Sequence, residues 1–175
     1  MAGVAGMKKV LFVIAPTDYQ DIELAEPMAK IAKAGCEIVV ASTRAGTARG
    51  VFGGSVQAQA LPKSSEGFDA VVFIGGGGVE EHLLYCNASV LALTKDFASK
   101  GKLVAAICIG PRILAKAGVV QGKRVAAFPD EETIEMLRSA GANYTGAPVE
   151  RDGRIITADG PSSARAFGRA ISEAI

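Results

Sequence analysis

Imidazole is nearly absent from this chain: its 175 residues include one histidine, three cysteines and no tryptophan. One histidine cannot build a His-rich metal site, and an odd, sparse set of cysteines does not build a disulfide framework. An excess of either charge is missing too. Nineteen Lys and Arg offset eighteen Asp and Glu, leaving a net charge of +1, so no strong field steers the chain toward nucleic acid or an anionic membrane. Long apolar runs are also lacking. Residues 10–15 form a run of only six before Pro16 and Asp18 end it, whereas a secretory h-region needs about 7 to 15 residues and a membrane helix about 20. These absences lead to the expectation of a soluble cytoplasmic protein with reduced thiols. No nucleic-acid or membrane partner and no metal or organic cofactor is expected.

What is present is ordinary globular material, 49% hydrophobic and 21% charged, which excludes disorder and collagen. Glycine is enriched at 21 residues, which implies several tight turns. The length suits one domain, expected over residues 8–175 behind a loose N-terminal extension over 1–7.

Strand-like and helix-like segments alternate. Residues 9–14, 37–41, 70–74 and 102–108 read as short apolar strands. Residues 21–34 carry Ile22, Leu24, Ala25, Met28, Ile31 and Ala32 at helical spacing, with Gly35 as the stop. Further helices are predicted over about 89–99, from Pro111 to a stop at Gly118, and over about 162–174, where Ala164, Phe167, Ala170 and Ile171 share a face. Residues 46–60 read as a hairpin or irregular excursion, and Asp152-Gly153 marks a second hairpin within 149–157. Strands buried on both faces and separated by amphipathic helices predict an α/β fold: a flavodoxin-like three-layer sandwich, its mostly parallel sheet covered by helices on both faces.

Ligands of such sheets bind beyond the carboxyl ends of the strands, where three loops stand out: 17–23, the four glycines 75–78, and Ala105-Ala106-Ile107-Cys108-Ile109-Gly110-Pro111. The last has the strand, tight turn and helix of a nucleophile elbow, with Cys108 on the turn and a helix start able to stabilise a thiolate. The plainer alternative is a small buried core cysteine. The glycine loop suits close approach of backbone N–H groups to a reacting carbonyl, or is only a turn. No Gly-Lys-Ser/Thr follows it, so it is not a phosphate loop.

Together with Glu23 and Pro27, Gly75-Gly76 and the closing segment from Val149 through Asp159-Gly160-Pro161, this elbow resembles the ThiJ/PfpI superfamily. The similarity is greatest to the branch of the Parkinson-disease-associated protein deglycase and runs from about Lys8 to Ile175. The resemblance implies that Cys108 is the reactive cysteine and Glu23 the acid hydrogen-bonded to it. It further implies that the N–H groups of Gly76 and Ile109 form an oxyanion-binding pair. A carboxyl and a thiol in one pocket do not both ionise cheaply, which favours a protonated Glu23 beside a thiolate. On residue type alone, the plainer reading of Glu23 is an exposed carboxylate in a first helical turn. Homodimers or larger homo-oligomers are also implied.

Both imidazoles of the resembled family are missing. Ile109 stands where protease-like members have His after the cysteine, and Phe128 where the other branch has His before a proline. Peptide hydrolysis thereby loses its acid-base agent. His82 is the remaining accessory candidate, alongside Glu80, whose counterpart in protease-like members reaches a neighbouring subunit's site; a solvated helix-start carboxylate is the plainer reading of Glu80. The chain also stops one helix short of the Parkinson-associated member, which leads to the expectation of a more open pocket. The leading expectation is a cysteine-dependent enzyme acting on small reactive carbonyls, like a glutathione-independent glyoxalase or deglycase. A redox-responsive or chaperone-like protein with an oxidisable Cys108 is the rival, and a peptidase or amidase is disfavoured.

Overall fold

A computed structural model describes residues 6–175. Of the expected loose extension, residues 1–5 lie outside the described residues, and Gly6 and Met7 are exposed without regular structure. Strand β1 (Lys9–Ile14) is buried on both faces by simple alternation. Leu11 and Val13 point into one apolar cluster, Val10, Phe12 and Ile14 into the other. Helix α1 (Asp21–Lys33) follows the short β2 (Thr17–Tyr19) and starts at Gln20, whose Oε1 accepts the N–H groups of Ile22 and Glu23. The chain continues through β3 (Glu37–Ser42), the antiparallel pair β4 (Gly46–Gly50) and β5 (Ser55–Ala60), and β6 (Ala70–Phe73).

Next come α2 (Gly77–Glu81), α3 (Ala88–Ser99), β7 (Leu103–Ile107) and α4 (Pro111–Ala117). The last third holds β8 (Arg124–Val125), α5 (Glu131–Ser139), β9 (Asn143–Tyr144), the antiparallel pair β10 (Val149–Asp152) and β11 (Ile155–Ala158), and α6 (Ala164–Ala174). Nine strands form one sheet in the order β10-β11-β7-β6-β1-β3-β5-β4-β2, parallel from β11 through β5. Helices α1 and α6 cover one face through Leu24, Ile31, Phe167 and Ile171; α3, α4 and α5 cover the other through Val90, Phe97, Leu114 and Leu137. This is the expected three-layer α/β sandwich.

Five elements depart from the sequence reading, among them β8 and β9, which it did not expect and which pair in a separate two-stranded sheet. Residues 17–19 pair with β4 rather than forming only a loop, and Gly77 and Gly78 open a helix rather than ending a turn. Helix α5 had no counterpart, although Asp130 caps it by accepting the Thr133 N–H. Among the described residues no helix is long and apolar enough to cross a membrane.

In-register pairing of β1 with β6 and of β6 with β7 brings the ends of these parallel strands to one edge. The loops after Ile14, Phe73 and Ile107 therefore converge there.

Candidate active site

Cys108 sits immediately after β7 with φ of 64°, in the left-handed region where a side chain carries about 1–2 kcal/mol of strain. Both backbone groups of the residue are engaged. Its N–H donates to the Ala158 carbonyl at 3.0 Å and its carbonyl accepts the Phe128 N–H at 2.8 Å. The turn is thus held by β11 on one side and by the 126–129 segment on the other, and the residue is half-buried.

Glu23, in the first turn of α1, is fully buried rather than exposed as residue type alone allowed. Its Oε2 accepts the Gly75 N–H at 2.8 Å, while Oε1 is buried without a hydrogen-bond partner. Burial raises the carboxyl from the ordinary 4.5 to about 7, against the lowering effect of the adjacent Cys108 thiol and the Gly75 N–H. Pro27 contributes locally: it lacks the N–H that the Glu23 carbonyl would otherwise meet one turn on.

Burial also pushes the Cys108 thiol up, and so does the neighbouring Glu23 carboxylate, while the Ile109 and Gly76 N–H groups pull it down. Both groups are thus pushed toward their protonated forms and titrate as one coupled unit, which holds a single proton once pH has passed the Glu23 midpoint. With that proton on Glu23, the carboxylate's opposition to thiolate formation vanishes and the two N–H donors remain.

The glycines are required by distance. A Cβ on Gly75 would lie 2.6 Å from both the Cys108 Cβ and Glu23 Oε2. At Gly76, with φ of 107°, it would lie 2.6 Å from the Gln20 nitrogen. Only a bare backbone lets the glycine loop lie between the elbow and the α1 start, where the Gln20 N–H also donates to the Gly75 carbonyl at 3.0 Å.

Cys108, Glu23, Gly76 and Ile109 are thus brought together; the two accessory candidates are engaged elsewhere. His82 lies 2.6 Å from Thr17 Oγ1 through its Nε2. Glu80 is half-exposed, accepts the Tyr85 hydroxyl at 2.7 Å and pairs with Arg112 of its own chain at 2.6 Å. Phe128, at the position of the missing imidazole, is an exposed phenyl ring. Cys36 is half-buried and Cys86 exposed, both free. Among the described residues no group of three or more His, Cys, Asp or Glu could hold a metal ion. Sequence reasoning missed Arg112, a buried cation on α4; its one signal is an Arg directly after Gly110-Pro111 in an otherwise apolar helix start. It also missed the Gln20 cap.

Comparison with known proteins agrees with this fold. An uncharacterized protein of Methanocaldococcus jannaschii is 41% identical over 95% of this chain and 82% of its own length. A deglycase of Pyrococcus horikoshii is 33% identical over 92% of this chain and 95% of its own. The crystal structure of a ThiJ/PfpI domain protein from Brachyspira murdochii superposes with a TM-score of 0.89 at 32% identity, covering 96% of each chain. The family model described as DJ-1/PfpI matches residues 8–174, and with the fold, the elbow and these relatives in agreement, the chain belongs to the DJ-1/PfpI family.

Proposed function

We propose that this protein is a cysteine-dependent enzyme acting on small reactive carbonyls, in the manner of a glutathione-independent glyoxalase or a deglycase. The observation that carries the reading is the fully buried Glu23 carboxyl packed beside the half-buried Cys108 on its left-handed turn, with Gly75 wedged against both. Relatives named deglycases support the substrate class.

The Cys108 thiolate attacks the aldehyde carbon of a 2-oxoaldehyde, forming a C–S bond as the carbonyl π pair moves to oxygen. Glu23 protonates that oxygen, giving a hemithioacetal, while the N–H groups of Gly76 and Ile109 stabilise the developing negative charge. The resulting Glu23 carboxylate removes the proton from the former aldehyde carbon as the hydroxyl proton passes to the neighbouring carbonyl oxygen, and return of the carbon proton at the adjacent carbon yields a thioester. Water cleaves it to the 2-hydroxy acid and regenerates the thiolate. The sum is one water added and no net redox change.

Methylglyoxal consumption with lactate as the measured product tests this. Wild type is expected to turn over and Cys108→Ser to fall to background; equal, near-background rates for both sink the reading. The absence of imidazole at Ile109 and Phe128 sets peptide hydrolysis below carbonyl chemistry. Cytoplasmic location and assembly into a homodimer or larger homo-oligomer belong to the same proposal, the latter checked by sedimentation.

The same geometry favours a second reading. A carboxylic acid donating toward the sulfur also stabilises a sulfinate, so Cys108 would serve as an oxidation sensor or chaperone switch without turnover. Intact-mass measurement after mild peroxide is then expected to show oxygen added at Cys108 ahead of Cys36 and Cys86; the reverse order rejects it.

A further inference from the structure

Arg112 is the second residue of α4, four positions after Cys108, and its side chain is 6% exposed. Its neighbours Pro111, Ile113 and Leu114 are buried apolar groups, so the cation stands out. Every arm of the guanidinium is engaged. Nε donates to Thr133 Oγ1 at 2.8 Å, Nη1 to Glu80 Oε2 at 2.6 Å and Nη2 to Asp130 Oδ1 at 3.1 Å. Glu132 lies 3.4 Å from Nη1, and the Tyr85 ring lies 5.7 Å from the guanidinium carbon. Stability alone is weak ground for burying this cation, because well-packed apolar residues often replace a buried charge and its partners without loss. What a rigid fork supplies instead is fixed geometry among the segments it joins.

Those segments are the ones that carry the oxyanion pair. Helix α2 starts at Gly77, directly after Gly76, and α4 starts at Pro111, two residues after Ile109. Helix α2 has five residues and no side-chain cap at its start. Its tie to the elbow helix is the Glu80–Arg112 pair, which Asp130 and Thr133 anchor to α5.

We propose that Arg112 is a positioning residue for the Cys108 site. Through Glu80 it locks α2 to α4 and so fixes the Gly76 and Ile109 N–H groups relative to the sulfur. This deepens the functional reading above and rests on it, but its test requires no substrate.

The readout is the ultraviolet absorbance of the Cys108 thiolate, titrated for each variant against the same variant carrying Cys108→Ser. Loss of the clamp in Glu80→Ala is expected to lower the thiolate fraction at a fixed pH below the midpoint by about threefold or more, as one weakened charge-assisted hydrogen bond would. Field effects alone act in the opposite direction, because removing an anion eases thiolate formation. Glu80→Gln loses the same charge but keeps an acceptor for Arg112, and is expected to restore the wild-type titration. Arg112→Met, where folded by near-ultraviolet circular dichroism, is expected to shift as Glu80→Ala does. An unchanged or increased thiolate fraction in Glu80→Ala overturns the proposal, as does Glu80→Gln behaving like Glu80→Ala. Failure of carbonyl turnover with this pattern intact would reject the functional reading and leave the positioning role standing.

Discussion

Replacing Glu23 by glutamine changes how stability depends on pH, and the structure sets both sign and size. The folded carboxyl titrates near 7 and the unfolded one near 4.5. Between those values the native state holds a proton that the unfolded chain has released, so stability falls as pH rises. The contribution is complete below the unfolded pKa and gone above the folded one. Over the interval from 4.5 to 7 it amounts to about 3 kcal/mol, at roughly 1.4 kcal/mol per pH unit. The amide of Glu23→Gln has the shape to keep the Gly75 N–H bond but no proton to lose, so the variant's stability lacks this decline. Carboxylates held low by partners, such as Asp130 beside Thr133 and Arg112 or Asp152 beside Arg124, contribute in the opposite sense and in a more acidic window. They cancel in the difference between variant and wild type. Urea denaturation at intervals from pH 5 to 8 measures that difference directly. The expected result is a gap that closes or reverses in favour of the variant as pH rises. Parallel curves across the range would show that Glu23 ionises in the folded protein as it does in water, and the shared-proton description of the site would be wrong.

Gly75→Ala places a methyl carbon against both members of the pair. We expect a loss of about 1–3 kcal/mol in urea midpoint analysis, as for other overpacked sites, together with loss of selective Cys108 alkylation; retained alkylation would contradict the geometry. Cys108→Gly should be more stable than Cys108→Ala by about 0.5–1 kcal/mol, since glycine relieves left-handed strain while adding some unfolded-chain entropy. An alanine variant of equal or greater stability would mean that the elbow stores no strain. Gln20→Ala removes the acceptor of the Ile22 and Glu23 N–H groups and should cost about 1 kcal/mol with slower Cys108 alkylation. Unchanged stability and alkylation would show the cap to be dispensable.

The order of strands and helices was legible because burial on both faces leaves continuous apolar runs such as residues 70–74 and 102–108, and Gly-Pro after Cys108 marks a sharp turn. Helix α5 was not: only two of its residues are buried, Thr133 and Leu137, and one of them is polar, so no apolar run marks it, and Asp130 with the two following glutamates signals its start. Strand β2 is three residues long and takes its form from pairing with β4, which no local pattern encodes. At the site, Cys108 and Gly75-Gly76 were visible as loop chemistry. The burial of Glu23 was not, since a first-turn carboxylate ordinarily faces water, and here the glycine loop packs over it. Arg112 was hidden for a related reason: its partners Glu80, Tyr85, Asp130 and Thr133 are scattered from 32 positions before it to 21 after, and only the closed fold gathers them.

The missing imidazoles decide what chemistry one shared proton can serve. Phe128 keeps its backbone role, donating to the Cys108 carbonyl, while its side chain offers no proton. Ile109 likewise supplies an N–H and nothing titratable. Peptide cleavage needs protonation of an amine leaving group after the thiolate has attacked, hence an acid on the leaving-group side in addition to whatever accompanies the sulfur. Aldehyde addition expels nothing. In the proposed reaction the proton released from Glu23 goes to the carbonyl oxygen, and the carboxylate left behind is the base that the next step requires. One group in two successive protonation states suffices, provided its pKa lies near the working pH, and burial brings Glu23 there. Carbonyl turnover in this protein should accordingly survive the absence of histidine at the elbow and fail with Glu23→Gln. That variant retains the hydrogen-bonding shape of the carboxyl but cannot pass the proton on. Methylglyoxal consumption by Glu23→Gln at the wild-type rate would show that the proton comes from elsewhere.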